Sequence, residues 1–177
     1  EYIVEEVLKR YSDAELLNIK IGDLSCGCGG FFITAAVYIY QRTRTPLNEI
    51  ISNFYGVDIA SYSIERTRII LNLLCLTYNE EVIVHPNLYQ ENSLKFDLFS
   101  LNEIVKNEGL DVIIGNPPYV SSSKISEDSK LLLDNWSVAS TGKTDLYLPF
   151  FQLAIEVLKP RGVLGYITVN NFYRSLN

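Results

Sequence analysis

The stretch IKIGDLSCGCGGFFITAAVYIYQ, Ile19 to Gln41, carries the decision about the fold. It opens on a short apolar run, turns through glycines at 27, 29 and 30, and continues as a longer run that is apolar on most sides. That order reads as a strand, a tight turn and a buried helix. The same alternation recurs outward from it. Upstream, YIVEEVLKRY sets Ile3, Val4, Val7, Leu8 and Tyr11 on one helical face. Downstream, NFYGVDI is a second short strand and SIERTRIILNLLCL a helix with its charges on one side. A third strand is expected within VIVHPNLYQENSL, a fourth in LDVIIGN and a fifth in VLGYITV. DLYLPFFQLAIEVL is helical, with Pro160 and Gly162 expected to stop it. Strands alternating with helices require right-handed crossovers, which gives an α/β fold with a doubly wound, mostly parallel sheet covered on both faces. VIIG and VLGYITV have the near-continuous apolar character of strands buried on both sides. The irregular piece is Val120 to Thr144, with a short helix expected around SKLLLDNW. A loop of that length inside a compact domain is usually functional.

Composition narrows the class. The 177 residues are 47% hydrophobic with a mean hydropathy of +0.10, enough to bury a core and too apolar for disorder. No run is both long and uncharged enough to cross a membrane, and no secretory signal opens the chain. The chain begins at Glu1 and holds no Met, so it is expected to be a piece of a larger protein. The net charge is -6 and no basic patch is visible, which argues against nucleic-acid binding by this segment alone. Cys26 and Cys28 are too close for an ordinary disulfide, and with Cys75 and the lone His85 they complete no zinc site. They read as reduced thiols of a cytoplasmic protein, with no metal.

Three motifs carry chemistry. DLSCGCGGF, Asp23 to Phe31, brings glycines and a helix N-terminus to the end of the first strand, where backbone N–H groups can approach a ligand. A dinucleotide fingerprint would need a third glycine where Phe32 stands, so the nicotinamide-cofactor reading fails there. GVDIA ends the second strand in Asp58, the position at which doubly wound folds place an acid on ribose hydroxyls. A nucleoside ligand without a pyrophosphate suits both. NPPY, Asn116 to Tyr119, follows the fourth strand, which in this topology lies beside the first, at the switch point where ligands bind. Its prolines stiffen the loop and remove two N–H donors, leaving carbonyl acceptors. The Asn116 side-chain oxygen is a further acceptor and Tyr119 offers a flat stacking face. Such a site suits a planar molecule bearing an NH2 group.

DLSCGCGGF, GVDIA, NPPY and GVLGYITVNNF, in this order, resemble the S-adenosylmethionine-dependent adenine-N6 DNA methyltransferases of restriction–modification systems, and the subgroup in which methylase and endonuclease often share one chain. The resemblance implies a Rossmann-like sheet of the class I methyltransferase type, incomplete at its C-terminal end. It implies that residues 1–177 are a single, partial S-adenosylmethionine-dependent catalytic domain without its target-recognition domain. S-adenosylmethionine is the implied cofactor. The implied partner is double-stranded DNA, held through that missing domain, with a possible endonuclease domain in the parent chain and no membrane. Carried over by resemblance, Asp23, Gly27, Gly29 and Phe31 line the methionine and sulfonium part of the cofactor. Asp58 binds the ribose hydroxyls, Ile59 and Phe150 enclose the adenine ring, and Asn92 stands where relatives have an aspartate accepting from the adenine amino group. Val169 and Leu24 stand where many relatives have proline. Asn116, Pro117 and Tyr119 are the implied catalytic residues: two acceptors for the N–H groups of a flipped adenine, and a ring to stack on it.

NPPY is not specific to DNA enzymes, since protein-glutamine and RNA-guanine methyltransferases carry similar tetrapeptides. The long segment after it, and GKTDLYLPFFQLAIEVLKPRG, favour the DNA group. A non-catalytic cofactor-binding module is the third reading, and the presence of Asn116 and Tyr119 speaks against it.

Overall fold

The computed structural model of the chain describes residues 1–101, 104, 108–120, 133, 136–139 and 145–168. Helices α1 (Tyr2–Leu8) and α2 (Asp13–Leu16) lead into strand β1 (Ile21–Asp23), followed by α3 (Gly30–Thr43), α4 (Leu47–Ile51), β2 (Phe54–Asp58) and α5 (Ser61–Thr77). Strand β3 (Asn87–Gln90), a short 3-10 turn at Leu98–Ser100, β4 (Leu110–Gly115), a second 3-10 turn at Ser137–Ala139, α6 (Tyr147–Val157) and β5 (Leu158–Tyr166) complete the described elements. The strands form one sheet in the order β3-β2-β1-β4-β5, and every pairing is parallel.

Successive residues of the central strands face opposite layers, as pleating requires. Ile21, Phe54, Val112 and Ile114 join Phe32, Ala35, Ala36 and Ile39 of α3, Ile64 and Leu71 of α5 and the buried side of α1. Tyr55, Val57 and Ile113 point the other way, against Phe150, Leu153, Ala154 and Val157 of α6. Phe32 stacks on Phe54 with ring centroids 5.0 Å apart. Phe32, the residue that breaks the dinucleotide fingerprint, is thus a fully buried wedge between helix and sheet.

The α/β doubly wound sheet and the adjacency of β1 and β4 are as the sequence predicts. The third strand lies in the middle of its predicted run, as expected, and Val84 is fixed by the Asn72 side chain (Val84 N–H to Oδ1, 2.8 Å) before pairing begins at Asn87. One boundary differs, at the end of α6. Helix α6 ends at Val157, ahead of Pro160 and Gly162, which lie inside β5. There the β4–β5 register shifts between Leu110 and Val112. Arg161 sits at φ 69, and a Cβ on Gly162 would come within 2.9 Å of the Lys159 carbonyl oxygen. The extra residues make a bulge, the place in a strand where proline's missing N–H costs least. The helix expected around SKLLLDNW lies mostly outside the described residues, as does Val169.

Candidate active site

The parallel order brings the carboxyl ends of β1, β2 and β4 to one edge of the sheet, and each ends in a predicted site residue or directly before one: Asp23, Asp58 and Asn116. Two adjoining clefts open there. One, of about 400 Å³, is lined by Leu24, Ser25, Asp58, Ile59, Glu91, Asn92, Ser93, Leu94, Asn116, Pro118, Leu146 and Phe150. The other, of about 390 Å³, is lined by Glu1, Ser25, Cys26, Gly27, Cys28, Gly30, Phe31, Thr34, Asn116 and Ile167. Ser25 and Asn116 belong to both.

The glycine turn is held rigidly. Gly27 and Gly29 adopt φ 55 and 75, a left-handed backbone that favours glycine, and Gly29 caps α3. A Cβ on Gly29 would lie 2.8 Å from the Thr67 methyl, while the Thr67 hydroxyl donates to the Gly27 carbonyl at 2.9 Å. Asp58 accepts from the Gly27 N–H through Oδ2 and from the Ala60 N–H through Oδ1, each at 2.9 Å. One carboxylate therefore fixes the β1 turn to the end of β2 and still presents lone pairs to the larger cleft. Ile59, 70% exposed, and buried Phe150 give that cleft its apolar surfaces.

Asp23 lies deeper, 1% exposed under its own loop. Its Oδ1 accepts the Ser25 N–H at 3.0 Å, and its Oδ2 has no partner among the described residues. Burial, with a smaller push from Asp58, raises this carboxyl to about 7 despite the Ser25 bond. Burial also drives the Cys26 and Cys75 thiols up, so neither is an activated nucleophile. No group of three or more His, Cys, Asp or Glu among the described residues is placed to hold a metal ion.

In the NPPY loop, the Asn116 carbonyl accepts the Ser25 hydroxyl at 3.2 Å, and exposed Asn116 lines both clefts at their junction. Pro117 is buried, and Pro118 is the proline that lines the larger cleft. Tyr119 stands outside both: its hydroxyl donates to the Ile167 carbonyl, and its ring lies 6.0 Å from that of Tyr147. Asn92 is in the cleft, but its Oδ1 already accepts the Leu94 N–H at 3.1 Å, so it also shapes the turn after β3.

Of the predicted residues, then, Asp58, Ile59, Asn92, Phe150 and Asn116 line the larger cleft, and Gly27, Phe31 and Asn116 the smaller. Asp23, Gly29, Pro117 and Tyr119 support the walls from behind or beside them. Sequence reasoning missed Ser25 and Ser93. Ser25 is two residues past the acid whose turn it closes; buried Ser93 donates to the Leu24 carbonyl at 2.5 Å and joins the loops after β3 and β1. Only the clustering of polar residues in QENS, Gln90 to Ser93, pointed toward the second.

Among solved structures, the chain resembles the DrdV–DNA complex (TM-score 0.68, 16% identity, covering 97% of this chain and 19% of that one). It also resembles the ATP-dependent Type ISP restriction-modification enzyme LlaBIII bound to DNA (TM-score 0.65, 19% identity, 97% and 14%). These likenesses establish the fold. In sequence it is 28% identical to the Type II restriction enzyme and methyltransferase RM.Eco57I of Escherichia coli, over 97% of this chain and 22% of that protein. It is 28% identical to the Type II methyltransferase M.BstVI of Geobacillus stearothermophilus, over 93% and 31%. The chain thus spans less than a third of the length of either relative. The profile of the Eco57I restriction-modification methylase family matches residues 52–177, from the second strand through NPPY to the last residue, and the chain belongs to that family.

Proposed function

We propose that this chain is a catalytic domain that transfers a methyl group from S-adenosylmethionine to the N6 amino group of an adenine flipped out of double-stranded DNA, in a restriction–modification system. The observation that carries the reading is Asn116, at the head of NPPY, at the junction of two clefts. One of them holds the Asp58 acid and apolar walls; the other holds the glycine turn.

The residues fit such a cofactor. The larger cleft offers Asp58 for ribose hydroxyls and Ile59 and Phe150 for the faces of an adenine ring. The smaller is lined by Gly27 and Phe31, and buried Asp23, just ahead of that turn, has an Oδ2 without a partner among the described residues, which suits the cationic ammonium of an amino-acid tail. Gly29 holds that turn from behind. Asn92 supports the adenine end, where its amide oxygen has one lone pair left beyond the Leu94 bond. When bound, S-adenosylmethionine supplies an electrophilic methyl group on a sulfonium centre.

The protein's part is to make a poor nucleophile competent. Adenine's amino lone pair is delocalised into its ring. The Asn116 side-chain oxygen and the Pro117 carbonyl would each accept one N–H, drawing the nitrogen toward tetrahedral geometry and stabilising the positive charge that develops on it. Tyr119, braced by its hydroxyl on Ile167, would stack on the extruded base and hold the line of attack. Once methylated, the nitrogen is strongly acidic and would release its extra proton to water, so the scheme calls on no general base and no metal.

Residues 1–177 would act as one catalytic domain. With a net charge of -6 over these residues, DNA sequence selection, and any endonuclease, belongs to other parts of the protein. Among the described residues no helix is long and apolar enough to cross a membrane, and we place the protein in the cytoplasm. The test is calorimetric titration of S-adenosylmethionine into wild-type protein, Asp58→Ala and Asn116→Ala. Asp58→Ala should weaken binding by about tenfold or more, the worth of charge-assisted hydrogen bonds, while Asn116→Ala should bind within about twofold of wild type. Equal affinity for Asp58→Ala and wild type would remove the ribose role.

A further inference from the structure

Two buried polar atoms in the described structure are without a partner, Asp23 Oδ2 and the Tyr166 hydroxyl, and they belong to side chains that converge on one glycine. Gly115, the last residue of β4, pairs with Tyr166 of β5, and the end of β1 lies on its other side. A Cβ at Gly115 would meet Asp23 Oδ1 at 2.7 Å and the Tyr166 ring at 3.4 Å. Any side chain there would drive the two apart. The missing Cβ at position 115, one residue before Asn116, is what lets the carboxyl and the phenol share this space.

Unsatisfied buried groups are rare enough that a neighbouring pair calls for an explanation. A phenol is a donor and a carboxylate an acceptor, and since neither atom has a direct partner, one bridging water would complete the pair. We propose that Tyr166 is a positioning residue for the cofactor site: through a bridging water its hydroxyl donates toward Asp23 and holds that side chain as an oriented carboxylate, ready for the cofactor's ammonium group. The inference rests on the role proposed above for Asp23 and extends it to a residue on β5 that touches neither cleft.

The surroundings leave the task to Tyr166. Among the described residues packed around Asp23, the titratable groups facing it are Asp58 at the end of β2, Cys26 in its own loop and Tyr166 on β5. Asp58 opposes the charged form, and the buried Cys26 thiol stays protonated. The Ser25 N–H favours the carboxylate at Oδ1 but leaves Oδ2 to be satisfied. Burial, and after it Asp23 itself, keeps the phenol protonated, so it remains a donor throughout the working pH range.

The test is S-adenosylmethionine affinity from pH 6 to pH 9 for wild type, Tyr166→Phe, Asp23→Asn and the double variant. The same ligand is used throughout, so its own titration cancels in the ratio of affinities. Losing a donor to a carboxylate raises that carboxyl's pKa by about one unit. Tyr166→Phe should therefore bind about tenfold more weakly than wild type at pH 6 and nearly as well at pH 9. In the Asp23→Asn background the Tyr166→Phe change should add nothing, because the tyrosine acts through the acid. As a second variant, 3-fluorotyrosine at 166, a stronger donor of nearly the same shape, should shift the profile the opposite way. A Tyr166→Phe to wild-type ratio that does not vary with pH, or a loss that persists in Asp23→Asn, would overturn the inference while leaving the role of Asp23 intact. Wild-type affinity in Asp23→Asn would instead overturn that role.

Discussion

The place of Asn116 at the cleft junction was legible in the sequence because the signal is local: an amide followed by two prolines directly after a strand. Asn116→Ala is expected to reduce methyl transfer about a hundredfold or more, the usual loss when one pre-placed polar group is removed from a charge-developing centre. The check is single-turnover transfer at saturating S-adenosylmethionine; undiminished turnover would remove Asn116 from the chemistry. Asp23 was also named from sequence, but its depth was not, because burial depends on the loop that folds over it. That depth has a thermodynamic consequence. A carboxyl at about 7 in the fold, against about 3.9 in an unfolded chain, keeps a proton that the unfolded chain has released across this window. The group's contribution is fully present below pH about 4 and is lost as pH rises through about 7. Melting temperatures of wild type and Asp23→Asn should therefore diverge in the variant's favour between pH 5 and pH 8. Parallel curves would contradict the burial of this acid.

At the scale of elements, the joints between strand ends decide whether the site stays assembled. The β1 turn is tied to β2 by Asp58, to α5 by Thr67 and to the loop after β3 by Ser93. Ser93→Ala leaves the Leu24 carbonyl without its buried donor, a loss of about 1–3 kcal/mol. Denaturant unfolding should show that loss, and S-adenosylmethionine affinity should fall with it, because both joined loops line the larger cleft. Gly29→Ala should cost about 1–2 kcal/mol from left-handed backbone alone, with more added as the new methyl meets Thr67. Unchanged stability in either variant would mean the joint is not needed. Periodicity and turn residues foretold nearly every long element but not these ties, since a serine's partner lies far off in sequence and leaves no spacing to read. The end of α6 was misplaced for a related reason. Pro160 reads locally as a helix stop, but pairing with β4 takes up the chain directly after Val157 and accommodates the proline in a bulge.

At the scale of the whole molecule, the sheet order β3-β2-β1-β4-β5 makes a site from residues spread between positions 23 and 150 of the chain. The turn back from β3 to β4 puts Asp23, Asp58 and Asn116 along one edge, and that order followed from right-handed crossovers before any side chain was placed. What the sheet cannot specify is the acceptor, since an NH2 group on adenine, on RNA or on a glutamine side chain meets the same loop. The measurement that bears most directly on this account is transfer of labelled methyl from S-adenosylmethionine to unmethylated double-stranded DNA, followed by digestion to nucleosides. Label recovered as N6-methyladenosine, and lost in Asn116→Ala, is the expected result. Label found in protein or RNA instead, or no transfer from bound cofactor, would contradict it.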